Sequence, residues 1–226
     1  MGVLPGLFNE IHYVLESKKP KNCLSLGYPD MLVPPLEGVK ISEKSIEIEA
    51  YHGIKGPFMD SVDYFRSRGC DLVVADYSVL RGPEIIADLN APAALGGPYD
   101  LIVDPGTLEH CFNVFECLRN ILVAASEGAI IIHWNPLNMC NHGFYNFSPT
   151  FYYDFYEANG GEIISQTIWD NSRRELPIHI IDNPVVRMNI NHPNCSILTI
   201  VKMHTKSFGN IAAPIQSKYK AMLNAN

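Results

Sequence analysis

The stretch from Tyr99 to Pro149 constrains the fold more than any other part of the chain. It contains two apolar strand patterns, at residues 99–104 and 129–134, with a helical pattern between them. Each strand pattern runs directly into a loop crowded with Asp, Glu, His, Asn and Tyr. In an open parallel sheet, ligands bind just beyond the carboxyl ends of the strands. The sequence therefore predicts an α/β sheet with a ligand site at these two strand ends.

The rest of the chain continues the alternation of strands and helices. Further strands are predicted at residues 23–27, 71–76, 84–88, 163–168, 178–181 and 196–203, and helices at residues 7–15, 60–68, 113–128 and 148–159. Strands that alternate with helices predict a parallel sheet with right-handed crossovers. The last strands follow one another closely, so antiparallel strands are expected near the C-terminus. The predicted fold is a Rossmann-like, doubly wound, mostly parallel sheet.

Helix signals fix some boundaries and leave others open. Asn113 followed by Glu116, and Ser148 followed by proline, are typical helix starts. The alternating stretch 45–53 is predicted as an edge strand or an ordered loop, and the pattern does not decide between them. In the tail, a short helix carrying Ile211, Ile215, Tyr219 and Met222 is expected.

The 226 residues show no repeat, no low-complexity tract and no linker. We therefore expect a single domain over residues 1–226, with an N-terminal helix in 1–21, a core in 22–206 and a C-terminal tail in 207–226. A chain of this length buries roughly 70–75% of the surface that it exposes when unfolded. It can therefore form a core without disulfides or metal staples.

The charge balance argues against a nucleic-acid partner. The chain has 17 Lys and Arg against 24 Asp and Glu, a net charge of −7, and only two small basic groups, at 18–21 and 173–174. Duplex nucleic acid is bound mainly by neutralising phosphates. A small-molecule or glycan substrate suits this chain better, and formation of a homo-oligomer stays open.

Other sequence features favour the cytoplasm. No apolar run approaches 18–20 residues, so no membrane span is expected. The first 20 residues lack a basic region followed by an apolar core, which argues against a secretory signal. The six cysteines are scattered without a CxxC pair, as is typical of free thiols in a reducing compartment.

Four segments, in this order and spacing, resemble a class I S-adenosylmethionine-dependent methyltransferase over roughly residues 22–161. DLIVDPGTLEHCFN (100–113) is similar to the fourth-strand segment of that family, and IADLNAP (86–92) to the third. CLSLGYPD (23–30) stands in the place of the first-strand glycine motif. NHGFYNFSP (141–149) resembles the substrate-side loop of members of the surface-polysaccharide and small-molecule type. The resemblance implies methyl transfer from S-adenosylmethionine to an oxygen or nitrogen atom of a small molecule or glycan precursor.

The resemblance also implies which residues bind the cofactor. They are the residues at or just after the predicted strand ends: Gly27, Tyr28, Asp76, Tyr77, Asp88, Leu89, Asp104 and Gly106. Asp76 would accept hydrogen bonds from the ribose hydroxyls, which suits a carboxylate because it offers several acceptor positions. Asp88 would accept from the adenine amino group beside the Leu89 amide. Asp104 and Gly106 would lie near the sulfonium group.

The candidate catalytic residues are His110, His142 and Tyr145. An imidazole titrates near neutral pH and can take a proton from a hydroxyl or amine. For His110, a hydrogen bond within its own loop is an equally open alternative. His142 and Tyr145 lie in the loop after the fifth strand and could cover a substrate, whereas Phe144 and Phe147 are expected to pack into the core.

No metal site is expected. The eight histidines show no HxxxH or HxH spacing. A site assembled in space from His110, His142 and Asp104 is the one alternative that the pattern leaves open. His52, in the sequence AYHG, is a further residue that could fold over the same pocket.

The first motif departs from the family pattern and motivates a second hypothesis. Ser25 stands where the family has an acidic residue, only Gly27 is present, and Tyr28-Pro29 replaces further glycines. The alternative is therefore a methyltransferase-like binding or assembly module that has lost its cofactor. A cofactor volume filled by Tyr28 or Met31 would support this alternative. A nicotinamide-dependent dehydrogenase is disfavoured because GxGxxG is absent after the first strand.

Overall fold

The computed structural model of this chain describes residues 2–78, 85–172, 176–205 and 210–223. Glu84, where the predicted third strand begins, and Ser207, where the predicted tail begins, lie outside the described residues. The strands are β1 (Gly2–Val3), β2 (Asn22–Leu26), β3 (Asp30–Met31), β4 (Asp71–Asp76), β5 (Ile85–Ile86), β6 (Tyr99–Asp104), β7 (Ala125–Pro136), β8 (Gly161–Asp170), β9 (His179–Ile180) and β10 (Cys195–Met203). The helices are α1 (Pro5–Lys18), α2 (Ser45–His52), α3 (Ser61–Ser67), α4 (Val114–Ala124), α5 (Pro149–Ala158) and α6 (Ser217–Leu223).

Within the described residues, eight strands form one sheet in the order β5-β4-β2-β6-β7-β10-β8-β9. The pairs β5–β4, β4–β2, β2–β6 and β6–β7 are parallel, whereas β10 runs antiparallel to both β7 and β8. The predicted Rossmann-like sheet with antiparallel strands near the C-terminus is confirmed. Strand β2 has β4 as its neighbour on one side and β6, which comes later in the chain, on the other. The carboxyl ends of β2 and β6 therefore flank the crevice where such sheets bind ligands.

Both faces of the sheet are covered by helices. Leu24 and Ile102 belong to the core shared with α4 and α5, whereas Leu101 and Val103 belong to the core shared with α1 and α3. Successive side chains of a strand point to opposite faces. Strands buried on both faces are therefore apolar almost throughout, which is why the sequence pattern identified them.

The prediction for residues 45–53 was wrong, because this stretch forms helix α2. Its alternating pattern resembled a strand, yet the helix buries Ile48 and leaves Ile46 84% exposed. Gly53, with a φ of +66°, ends the helix in the left-handed conformation that glycine adopts at low cost. The helix places Tyr51 and His52 at the edge of the ligand-binding side of the sheet.

Three predicted boundaries also need correction. Helix α4 ends at Ala124 rather than near Gly128, because Ala125 is extended and already pairs with Tyr99 of β6. The predicted strand 178–181 shortens to the two residues of β9. The tail helix begins at Ser217, so Ile211 and Ile215 precede it.

Among the helices of the described ranges, none combines the length and the apolar character needed to cross a membrane.

Candidate active site

A first cavity of about 390 Å³ lies beyond the carboxyl ends of β2, β4 and β5. Its size falls within the range of small-molecule pockets, about 300–1,000 Å³. The residues that line it are Gly27, Ala75, Asp76, Tyr77, Ala87, Asp88, Leu89, Asn90, Thr107, His110 and Cys111. The structure thus brings together five of the eight residues predicted to bind a cofactor, together with His110.

The two carboxylates of the first cavity are held by their own loops. Asp76 Oδ1 accepts a hydrogen bond from the Ser78 amide at 3.0 Å. Asp88 Oδ1 accepts from the side chain and from the backbone amide of Asn90, both at 2.9 Å. These hydrogen bonds from Asn90 lower the pKa of Asp88 below its usual value. Both carboxylates are therefore placed, as acceptors, on the rim of the cavity.

A compact turn at Gly27 forms the inner wall of this cavity. Gly27 has a φ of +79°, and its amide donates to the Ala75 carbonyl at 2.7 Å. The Ser25 hydroxyl donates to the Gly27 carbonyl at 2.8 Å. The single glycine thus makes the turn with a serine that fixes it. Tyr28 does not line this cavity and packs against the core shared with α1.

A second cavity of about 350 Å³ lies beyond the carboxyl ends of β6 and β7. It is bounded by Gly106, Glu109 and His110 after β6, by Asn135 and His142 from β7 and its following loop, and by His52 from α2. His52 therefore does lie over the same pocket, as its position in the sequence suggested. His110 contributes to the lining of both cavities.

Glu109, His110 and His142 form a compact group in the second cavity, which we call the Glu–His cluster. Glu109 Oε1 lies 3.5 Å from His142 Nε2 and 3.9 Å from His110 Nε2. The Glu109 side chain is 1% exposed, whereas both imidazoles are 46% exposed. Hydrogen bonding to Glu109 raises the pKa of His142 above its ordinary value. The cluster thus presents two accessible imidazoles over a buried carboxylate.

Asn135 holds the buried carboxylate of the cluster in place. Its Nδ2 donates to Glu109 Oε2 and to Asp104 Oδ2, each at 2.9 Å. Its Oδ1 accepts from the Tyr152 hydroxyl at 2.5 Å. Burial raises the pKa of Tyr152 well above its ordinary value, so this hydroxyl stays protonated and donates. The orientation of the Asn135 amide is therefore fixed from both ends.

Asp104 organises the loop from below rather than facing either cavity. Its Oδ1 accepts from the amides of Thr107 at 2.8 Å and Leu108 at 3.3 Å. Its Oδ2 also lies 2.9 Å from His133 Nδ1, which donates because a carboxylate only accepts. His133 Nε2 lies 2.6 Å from the Tyr156 hydroxyl. Asp104 and His133 are both fully buried.

The remaining predicted residues lie in the loop that follows β7. Tyr145 lies outside both cavities, with its hydroxyl donating to the Phe112 carbonyl at 2.7 Å. Phe147 is buried as expected. The expectation for Phe144 was wrong, because it is 64% exposed and packs edge-on against Phe112.

Gly143 is a contact point between this loop and the Glu–His cluster. A Cβ at Gly143 would lie 2.7 Å from the Glu109 carbonyl oxygen and 2.9 Å from Glu109 Cγ. Because backbone cannot move aside like a flexible side chain, the loop would have to shift. We expect Gly143→Ala to lower the free energy of unfolding by about 1–3 kcal/mol, the usual cost of overpacking. Urea unfolding measures this, and a midpoint equal to that of the wild type would contradict the close contact.

Comparison with known proteins identifies solved structures that have a similar fold. No family model matches the chain, and no curated protein is found as a relative. Among solved structures, TehB from Haemophilus influenzae matches with a TM-score of 0.52 at 11% identity, over 87% of this chain and 62% of TehB. The CurJ carbon methyltransferase matches with a TM-score of 0.51 at 8% identity, over 90% of this chain and 55% of the other. The chain shares the Rossmann-like fold of these two structures. It spans less than two thirds of the length of either protein, and at this identity the likeness is one of fold.

Proposed function

We propose that this chain is a cytosolic S-adenosylmethionine-dependent methyltransferase acting on an oxygen or nitrogen atom of a small molecule or glycan precursor. The observation that carries the proposal is the position of His110, which borders both cavities. A cofactor in the first cavity and an acceptor in the second would meet at this residue. The methyltransferase-like fold supports the same assignment.

The lining of the first cavity fits the cofactor. Asp76 and Asp88 offer carboxylate oxygens for the ribose hydroxyls and the adenine amino group. Leu89 and Cys111 supply apolar surface for the base, and the backbone of Gly27 allows close approach. When bound, S-adenosylmethionine supplies an electrophilic methyl carbon on a sulfonium group. The residues of the second cavity would bind the acceptor and remove its proton.

The Glu–His cluster is suited to handling the acceptor. The exposed imidazoles of His110 and His142 can accept a proton from an acceptor hydroxyl or amine, a contribution typically worth about 10²–10⁴ in rate. Glu109 fixes the direction of His142. The buried contacts of Asp104 and Asn135 hold the loop so that acceptor and cofactor are positioned without further reorganisation.

The rest of the second cavity suits a hydroxylated acceptor. His52, Asn194 and Ser196 add polar groups, and Tyr51 adds an exposed aromatic ring on which a sugar ring can stack. Such a mixture of polar groups and an aromatic face supports the small-molecule or glycan class of acceptor.

The cofactor-free alternative would be supported by a first cavity that is filled from within. Met31 is fully buried in the core shared with α1, and Tyr28 packs against the same core. Neither residue lines the first cavity. This arrangement supports the enzyme over the binding module.

Thermal unfolding with and without S-adenosylmethionine or S-adenosylhomocysteine tests the proposal. A ligand at about 100 times its dissociation constant stabilises the folded state by roughly 2.7 kcal/mol. For a chain of this length, the unfolding midpoint should rise by roughly 5–10 °C. No shift with either ligand at millimolar concentration would overturn the proposal and leave the binding module as the better account.

A further inference from the structure

We propose that Glu109, His110 and His142 form a binding site for a divalent transition-metal ion of the Zn²⁺ class. One carboxylate oxygen and two imidazole nitrogens of these residues all lie within 4.8 Å of one another. Two histidines and one carboxylate make up a ligand set that binds zinc and non-haem iron in catalytic sites. The cluster replaces the grouping of His110, His142 and Asp104 that the sequence left open. Asp104 is instead held in a buried network, in which it accepts hydrogen bonds from His133, Asn135 and the Thr107 amide.

The distances within the cluster fit such an ion after small side-chain rotations. Bonds of roughly 2.0–2.2 Å to one ion place its ligand atoms about 3–4 Å apart. Glu109 Oε1 already lies 3.5 Å from His142 Nε2 and 3.9 Å from His110 Nε2. Both imidazoles are half-exposed, so they can rotate toward the carboxylate at little cost.

The surroundings of Glu109 provide the second shell that metal sites use. Asn135 Nδ2 engages Glu109 Oε2, which leaves Oε1 directed at the imidazoles. Outer contacts of this kind orient a ligating carboxylate and raise affinity for the metal. Asn135 is itself fixed by Tyr152 and Asp104. The carboxylate is thus oriented toward the two histidines before any ion arrives.

The charge balance around Asn135 gives an independent argument for a cation. Two carboxylates, Asp104 and Glu109, share the same amide nitrogen, and both are almost fully buried. Within the described part of the chain, their ion-pair partners are histidines and include no Lys or Arg. Burying negative charge is costly unless a positive group compensates it. A divalent ion next to Glu109 would supply that compensation.

The role of the ion in catalysis rests on the proposed function. Three protein ligands leave coordination positions open toward the second cavity, as in catalytic metal sites. An acceptor hydroxyl bound there would lose its proton to a solvent water, and the electron pair of the O–H bond would stay on the oxygen. That oxygen would attack the methyl carbon of the sulfonium while the carbon–sulfur bond breaks and its electron pair goes to the sulfur. With the ion bound, both imidazoles serve as ligands, and the ion takes over activation of the acceptor. An oxygen bound to the ion keeps a lone pair for attack on the methyl carbon, whereas a neutral amine would use its only lone pair to bind the ion. The site therefore favours an oxygen acceptor over a nitrogen one.

Titration of the chelator-treated full chain with Zn²⁺, and with Co²⁺ followed by its visible spectrum, tests the site. One ion per chain is expected. His142→Ala and Glu109→Gln should each weaken binding by more than the roughly 10–100-fold that loss of an outer-shell partner costs. His142 is half-exposed and its variant should fold normally, which circular dichroism verifies.

The matched control is His204→Ala, since His204 also pairs with a glutamate, Glu162 at 2.7 Å, on the exposed surface away from both cavities. It should bind the ion as the wild type does. Equal affinity and stoichiometry in the wild type, His142→Ala and Glu109→Gln would overturn the site. Thermal shifts caused by S-adenosylmethionine are recorded on the metal-free chain. If the cofactor still shifts the unfolding midpoint there, loss of the metal site does not count against the proposed methyl transfer.

Discussion

Replacing Asp104 with alanine is expected to lower the free energy of unfolding by about 3–5 kcal/mol, a large effect for one substitution. The carboxylate accepts hydrogen bonds from Thr107 and Leu108 amides and from the side chains of His133 and Asn135. Each buried donor left without an acceptor costs about 1–3 kcal/mol. The individual costs do not add fully, because the groups belong to one network.

Urea unfolding of the Asp104→Ala variant measures this loss. Asp71 is a suitable control, because it lies on the exposed end of β4, and its alanine variant should stay within about 0.5 kcal/mol of the wild type. A loss below about 1 kcal/mol for Asp104→Ala would contradict the view that this carboxylate organises the loop under the site.

The second large effect is expected on the cofactor. Asp76→Ala and Asp88→Ala should each weaken binding of S-adenosylhomocysteine by about 10- to 100-fold, because a hydrogen bond to a charged group contributes about 1.5–3 kcal/mol. Neither carboxylate is part of the buried network, so the fold should be retained. Calorimetric titration measures the affinities.

Glu162→Gln provides the comparison for these two variants. Glu162 is an exposed carboxylate on β8 that lines neither cavity, so its variant should bind as the wild type does. Unchanged affinity in both aspartate variants, with binding intact in the wild type, would mean that the cofactor binds outside the first cavity.

Sequence patterns predicted the sheet well because its central strands are buried on both faces. Strands such as Leu101–Val103 read as continuous apolar runs whatever lies around them. Helix α2 was missed because its alternation of Ile and Glu mimics a half-buried strand over eight residues, and only tertiary packing selects the helix. A short segment contains too few turns for periodicity to decide.

The strand-end positions of the site were predictable, while side-chain directions were not. Gly27, Asp76, Asp88, His110 and His142 reach the two cavities because their distance from a strand end already places them there. Whether a residue in a turn points inward depends on packing with other elements. Tyr28, Tyr145 and Asp104 consequently lie outside the cavity linings.

The buried network carried a signal that sequence reasoning missed. His133 and Asn135 stand two residues apart on one face of β7, and Tyr152 and Tyr156 stand four apart on one face of α5. Polar residues at core spacing on consecutive elements indicate a shared network. The hydrogen bonds of Tyr152 to Asn135 and of Tyr156 to His133, however, depend on how α5 packs against the sheet.

A crystal structure of the chain with S-adenosylhomocysteine bound would test the proposed methyl-transfer site most directly. We expect the adenosine in the first cavity, with its hydroxyls at Asp76 and its base near Asp88 and Leu89. The sulfur should lie beside Gly106 and His110, facing the second cavity. Binding at another place, or a first cavity that stays empty at saturating ligand, would contradict the central claim that the two cavities form one methyl-transfer site.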